Sequence, residues 1–416
     1  MKNASIKILA LVAATALIAT GCTPQARKAR HLAKADKFFA ADQYPQAEVE
    51  YLNVAKLDPN DAHTAARLGQ IYFDEGRTVR AYQFLAKAKA LEPDNLQVRS
   101  KLGFLSLSVG STKEARDEAL AILEKDPNFP EAAFLLAETG RTPKDAEAVR
   151  QRLDKLVQQT GVTAGTEIGY GTLDFLAANF PSAEQHYSRA QALETNSVGA
   201  HYALGILYWT MNDTTNADRA LLKAAENSPS RSIQRLGYAD FKMKTGNPEE
   251  AKRLLGEMVK KTPDFMPAWI SLAEVSLSQG RFEDCAAILN QIQVRDPENY
   301  QSQLLGARMK LLKAQTDPAQ IDQAIADYER LAARFKNSPQ VFFQLGVAYL
   351  AKGDNSKALK NFTEAVALDP NFEDALIQQA QLNVQRDDPD KAIAPLIQLI
   401  KRRPQLPMPY LVLAGA

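Results

Sequence analysis

The side chains of this chain that could ligate a metal or attack a substrate are few: four histidines (His31, His63, His186 and His201) and two cysteines (Cys22 and Cys285). The histidines are too scattered to form a ligand set, and neither a second nearby cysteine nor an HExxH pattern accompanies them. They are expected on the surface. Asp387, Asp388 and Asp390 crowd into one short stretch, where carboxylates cap helices far more often than they hold calcium. No phosphate-binding glycine loop and no serine elbow occurs, so the sequence points to no catalytic residue, no metal, no cofactor and no enzyme. What chemistry remains lies in non-covalent contacts and in Cys22, which closes the small-residue run Ala19, Thr20, Gly21.

The elements that would position such contacts follow from a 34-residue period between Lys28 and Leu406. Proline recurs in phase at Pro59, Pro93, Pro127, Pro229, Pro263 and Pro297, and again at Pro370 and Pro404 after an excess of five residues near Lys313 to Gln323. Gly161 and Thr195 hold the register between Pro127 and Pro229. In every period a small residue stands where two helices must approach: Ala35, Gly69, Gly103, Ala137, Gly171, Gly205, Ala239, Ala273, Ala307, Gly346 and Ala380. A second small slot follows at Ala47, Ala81, Ala115, Ala183, Ala217, Ala251, Ala324, Ala358 and Ala392, with Val149 and Cys285 as departures. Four residues further on come large side chains such as Tyr51, Leu85, Tyr187 and Phe362. Notch and knob at helical spacing let one helix lean on the next. Gly76, Gly110, Gly246, Gly280, Gly353 and Asn212 suit a left-handed cap between the two helices, and Asn60, Asp94, Asn128 or Asn371 is placed to cap the helix that follows.

Period, small slots, first-helix aromatic (Tyr72, Tyr208) and closing proline together resemble the tetratricopeptide repeat, with Trp269, Leu272, Ala273, Phe282 and Pro297 forming one of the best-matched units. The resemblance covers about nine tenths of the chain and implies an all-α, right-handed α-solenoid of about eleven helix-turn-helix repeats. The repeats run 28–61, 62–95, 96–129, 130–163, 164–197, 198–231, 232–265, 266–299, 300–338, 339–372 and 373–406, numbered 1 to 11 below. Repeat 4 is irregular, because Thr139, Gly140, Arg141, Thr142 and Pro143 cut its first helix short, and a bend is expected there. Repeat 9 is lengthened between its helices, where a protruding loop is expected. Residues 407–416 read as the start of a further, truncated repeat, so the natural chain is expected to continue.

In this family the first helices build a concave face that holds a protein or peptide partner. The matching positions here include His63, Ala66, Gln70, Phe73, Phe104, Phe134, Ile168, Thr172, Phe175, Tyr202, Ile206, Trp209, Met243, Ile270 and Phe343. Phe73, Phe104, Phe175, Tyr202, Ile206, Trp209, Met243 and Phe343 are the candidate groove residues, with Tyr202, Ile206 and Trp209 on one stripe. An aromatic at helical spacing is either core or a binding anchor, and the sequence leaves both open. The terminal-carboxylate clamp of co-chaperone relatives is missing, since Ala66 and Gln70, Ser100 and Phe104, and Ile270 and Glu274 stand at its positions. The expected occupant is an extended segment or helix held by apolar contacts.

The first residues carry a separate message. Lys2 and Lys7 precede a mostly apolar run from Ile8 to Ile18, too short to span a bilayer comfortably, and Ala19-Thr20-Gly21-Cys22 follows. This resembles a bacterial lipoprotein signal, residues 1–21, with Cys22 the acylated residue and residues 22–27 a short tether; Ala19 departs from the branched residue usual three before the cysteine. The resemblance implies attachment to the cell envelope through N-terminal acyl chains, and Thr23 in place of Asp favours the outer membrane, facing the periplasm.

With 50 basic and 49 acidic residues the chain is nearly neutral, which gives no sign of a nucleic-acid partner. Arg27, Lys28, Arg30, Lys34 and Lys37 are either a solvated helix face or a contact to anionic headgroups. Cys285, in a packing slot, is expected to be buried and inert. Apolar residues make up 45% of the chain, enough for a continuous core. Two readings follow by resemblance: a membrane-anchored, non-catalytic scaffold like the repeat lipoproteins of exopolysaccharide export and PEP-CTERM/exosortase sorting, or an assembly lipoprotein for pilus or outer-membrane protein biogenesis.

Overall fold

A computed structural model of the chain describes residues 23–129 and 131–416, so the expected signal peptide and Cys22 lie outside the described residues. The described residues are all-α: 23 helices and no strand. They pair as α1 (Pro24–Ala40) with α2 (Tyr44–Leu57), α3 (Ala62–Asp74) with α4 (Thr78–Leu91), α5 (Leu96–Ser108) with α6 (Thr112–Lys125), and α7 (Ala132–Ala137) with α8 (Pro143–Thr160). Then come α9 (Ala164–Leu176) and α10 (Phe180–Leu193), α11 (Val198–Thr210) and α12 (Thr214–Glu226), α13 (Ile233–Lys244) and α14 (Pro248–Lys261), and α15 (Met266–Ser278) and α16 (Phe282–Arg295). The last pairs are α17 (Tyr300–Lys313) with α18 (Gln320–Arg334), α19 (Pro339–Lys352) with α20 (Asn355–Leu368), and α21 (Glu373–Gln385) with α22 (Asp390–Arg402), followed by α23 (Pro407–Gly415). Contacts divide the chain into two compact units at Ser271/Leu272.

In each unit the small slots are the places where hairpins close. A Cβ on Gly69 would fall 2.7 Å from the Leu85 side chain, one on Gly171 2.5 Å from Tyr187, and one on Gly205 2.6 Å from Leu221. In the second unit Gly346 faces Phe362 in the same way at 2.6 Å. Only a bare backbone admits the knob at these four positions. The second slot is buried in all eleven repeats, including Val149 and Cys285. Burial pushes the Cys285 thiol up to about 11, so it rests protonated and inert.

The left-handed turn residues are Gly76, Gly110, Gly246, Gly280, Gly353 and Asn212, joined by Asp42, Ala178 and Asp387, which nothing but their phase in the repeat marks out. The expected caps need correcting. The backbone N–H groups of Asn60, Asn128 and Asn371 donate to the side chains of Asp58, Asp126 and Asp369, closing a small turn around the proline, and the helix starts later. Asp61 and Asn95 are the actual N-caps of α3 and α5, accepting from Thr64 and Val98 at 2.8 and 3.2 Å. An Asp or Asn side chain next to a turn bonds whichever free N–H the backbone offers, and here that is the turn's own.

In repeat 4, α7 has six residues where the other first helices of this unit have 12 to 17. It packs on α6 and α9 more than on its hairpin partner α8. Arg116 of α6 stitches the break, donating to the Thr139 hydroxyl (3.1 Å) and carbonyl (2.8 Å) and pairing with Asp145 at 2.8 Å. In repeat 9 residues 314–319 separate the helices, with the Asp317 carboxylate accepting from the Ala319 N–H and the Gln320 amide.

Candidate functional site

Within the first unit the first helices of successive repeats touch one another, α3 on α5, α5 on α7, α7 on α9 and α9 on α11, forming a continuous face. The candidate groove residues of this unit sit along it, all half-buried. The Phe73 ring carries Lys101 Nζ 4.4 Å from its centroid. Phe104 lies 6.2 Å from Phe134 of the next repeat, and Phe175 lies 5.9 Å from Phe180 of its own hairpin. Tyr202 lies on the bare backbone of Gly237 one repeat on, so close that a Cβ there would be 2.5 Å from its hydroxyl oxygen. Trp209 meets Phe241 edge to face at 5.3 Å with Lys244 Nζ 5.6 Å from its ring, and Ile206 packs on the same cluster. Met243 is half-buried on α13. In the second unit Phe343 stands between Phe362 and Phe372, at 5.7 and 5.0 Å.

Phe73, Phe104, Tyr202 and Trp209 therefore spend part of their surface on the next repeat and Phe175 and Phe343 on their own, and each stays only half-buried. Three positions from the wider face are corrected: Ile168, Thr172 and Ile270 are buried and cannot line a groove. Ile168 packs against Gly199 of the next repeat, and Thr172 satisfies its hydroxyl on the Ile168 carbonyl at 2.8 Å.

The histidines also divide. His63 is exposed, its Nε2 2.7 Å from Asp36, and His186 is half-buried with Nδ1 2.6 Å from Glu167. His31 pairs with Glu50. His201 is buried, contrary to expectation, with Nε2 2.9 Å from the Thr195 carbonyl; the turn after α10 supplies the acceptor that lets the ring leave water. Among the described residues no group of three or more His, Cys, Asp or Glu side chains could hold a metal ion. Of the basic cluster, Lys28 is committed to Asp58 and Asp61 at 2.6 and 2.7 Å.

A recurring bond escaped the sequence reading. The Tyr72 hydroxyl donates to Glu48 at 2.7 Å and the Tyr208 hydroxyl to Glu184 at 2.8 Å, each 24 residues back. The shared spacing was the available signal. Each bond ties the first-helix aromatic to the second helix of the preceding repeat.

The fold defines a helical-repeat protein, and models of the tetratricopeptide repeat match residues 72–139, 198–231, 242–308 and 339–372. The chain carries tetratricopeptide repeats, an architecture suited to contact with other proteins. It is similar to Superkiller complex protein 3 of Mus musculus, 26% identical over 313 residues, which cover 71% of this chain but 20% of that protein. The chain thus spans about a fifth of that relative. It is also similar to the TPR repeat-containing protein YpiA of Bacillus subtilis, 20% identical over 261 residues and 62% of each chain. Among solved structures, yeast Tom70 is 16% identical with a TM-score of 0.43, over 94% of this chain and 96% of that one. A tetratricopeptide repeat protein from Parabacteroides merdae is 14% identical with a TM-score of 0.43, over 68% and 97%.

Proposed function

We propose that the protein is a non-catalytic scaffold of the bacterial cell envelope, held by acyl chains on Cys22 at the outer membrane, with its repeats in the periplasm. The observation that carries this reading is Ala19-Thr20-Gly21-Cys22 ending two positions ahead of Pro24, where the first helix of the repeats begins. Acyl chains contribute about 0.8 kcal/mol per buried methylene, so two or three of them hold a protein firmly at a membrane surface. No helix among the described residues is long and apolar enough to cross a membrane. The partner is a protein or peptide segment lying along the first-helix face, where half-buried aromatics offer apolar contact beside the Lys101–Asp74 and Lys244–Asp240 ion pairs. Its setting is the export of exopolysaccharide and the sorting of PEP-CTERM proteins.

Fractionation of cells carrying Cys22→Ala tests the anchor: the variant is expected in the soluble periplasmic fraction, and its retention in membranes would refute the lipid attachment. A photo-crosslinking residue at Trp209 tests the face. Capture of an export or sorting component supports the setting, and capture of a pilus-assembly component would replace it with the assembly reading.

A further inference from the structure

The first unit touches itself far beyond neighbouring repeats. Arg231, in the loop between α12 and α13, reaches back 189 residues to Asp42 in the turn between α1 and α2, bonding both its carboxylate and, at 3.3 Å, its backbone carbonyl. The same guanidinium binds Asp264, in the loop between α14 and α15, through both carboxylate oxygens at 2.8 and 2.7 Å. It also stacks 4.1 Å from the centroid of the Tyr44 ring. The Arg231 side chain is only 7% exposed and that of Asp264 9%. One repeat further along, Gly76, in the turn between α3 and α4, lies against Pro267 of α15 so closely that a Cβ there would be 2.6 Å from the proline ring.

In a stack of antiparallel hairpins the turns within repeats lie on one edge and the loops between repeats on the other. The contacts therefore join the edge carrying turns 41–43 and 75–77 to the opposite edge carrying loops 227–232 and 262–265 and the first turn of α15. A linear repeat array is held only by neighbours and bends at little cost. One that returns onto itself has its curvature fixed.

We propose that Arg231, Asp42, Asp264 and Tyr44 form a clasp that locks repeats 1 to 7 into a closed turn, and that release of the clasp lets the first-helix face change curvature. A planar guanidinium held through both terminal nitrogens by two carboxylates and stacked on a ring face has one bound geometry, and its buried Nε is left without a partner, which suits it to a two-position latch. That the latch controls partner entry rests on the reading of this face as the binding surface; the latch itself does not.

The test needs no partner. Spin labels at Val79 and Ile233, both exposed and flanking the clasp, are placed in the full chain carrying Cys22→Ala and Cys285→Ala, and the distance distribution is measured by pulsed EPR. A second pair at Val79 and Val109, on one side of the clasp, reports whether the repeats stay folded. The clasped chain is expected to give one narrow distance between 79 and 233. Arg231→Ala, or the surface charge reversal Asp42→Arg, is expected to replace it with a broader, longer distribution while the control pair is unchanged. A broad distribution in the parent chain, or the parent's narrow distance kept in both variants, would overturn the proposal. Either result is independent of whether crosslinking at Trp209 finds a partner.

Discussion

Turns 75–77 and 109–111 are built alike and live differently. Gly76 and Gly110 share the left-handed conformation (φ +76° and +78°), and each N–H donates to a first-helix carbonyl at 3.0 Å. The following amides, of Arg77 and Ser111, both bond at 2.8 Å. Yet a Cβ on Gly76 would strike Pro267, whereas one on Gly110 meets nothing within 4 Å. The residue before each glycine shows the same contrast: Glu75 is 3% exposed and Val109 76%. Local sequence makes the turn, and a contact 191 residues away decides whether it is surface or interior.

The largest expected effect comes from Glu75. Burial, with Glu48 and Asp264 nearby and only partly offset by Arg77, pushes its carboxyl up to about 8 from an ordinary value near 4.5. The folded chain thus keeps a proton that the unfolded chain releases. The associated stability is full below pH 4.5 and is lost as the pH rises toward 8, at a slope of about 1.4 kcal/mol per pH unit. Chemical denaturation across that window should show the slope, and Glu75→Gln should flatten it. An unchanged slope in the variant would place the titrating group elsewhere.

Next in size is the glycine pair. Gly110→Ala is expected to cost about 1 kcal/mol, the penalty of a side chain in the left-handed region, and Gly76→Ala about 3 kcal/mol, because it adds the clash with Pro267. Equal losses would mean that Pro267 does not cover the turn. The smallest effect is a gain: Ala178 adopts φ +57° in an exposed turn, so Ala178→Gly should stabilise by about 0.5–1 kcal/mol in a thermal melt.

What the sequence made legible is what repeats. Gly69, Gly171, Gly205 and Gly346 stand out because a notch must recur wherever a knob such as Leu85 or Phe362 recurs, and the structure seats each knob on its bare backbone. Ala178 and Asp42 adopt the same left-handed turn without a glycine to mark it, so only the phase of the repeat could have placed them. The candidate face was legible as positions but not as exposure. Tyr202 is half-covered because residue 237 is a glycine one repeat on, while Ile168 is buried against Gly199 of the next repeat. The clasp left no trace, since Asp42 and Arg231 lie 189 residues apart, between five and six periods, and no periodic pattern relates them.

Amide hydrogen exchange on the two turns tests the closed first unit most directly, because their hydrogen bonds match and only their cover differs. After correction for intrinsic rates, Gly76 and Arg77 should exchange about tenfold more slowly than Gly110 and Ser111, and Arg231→Ala should erase the difference. Equal exchange of the two turns in the unaltered chain would contradict the closure.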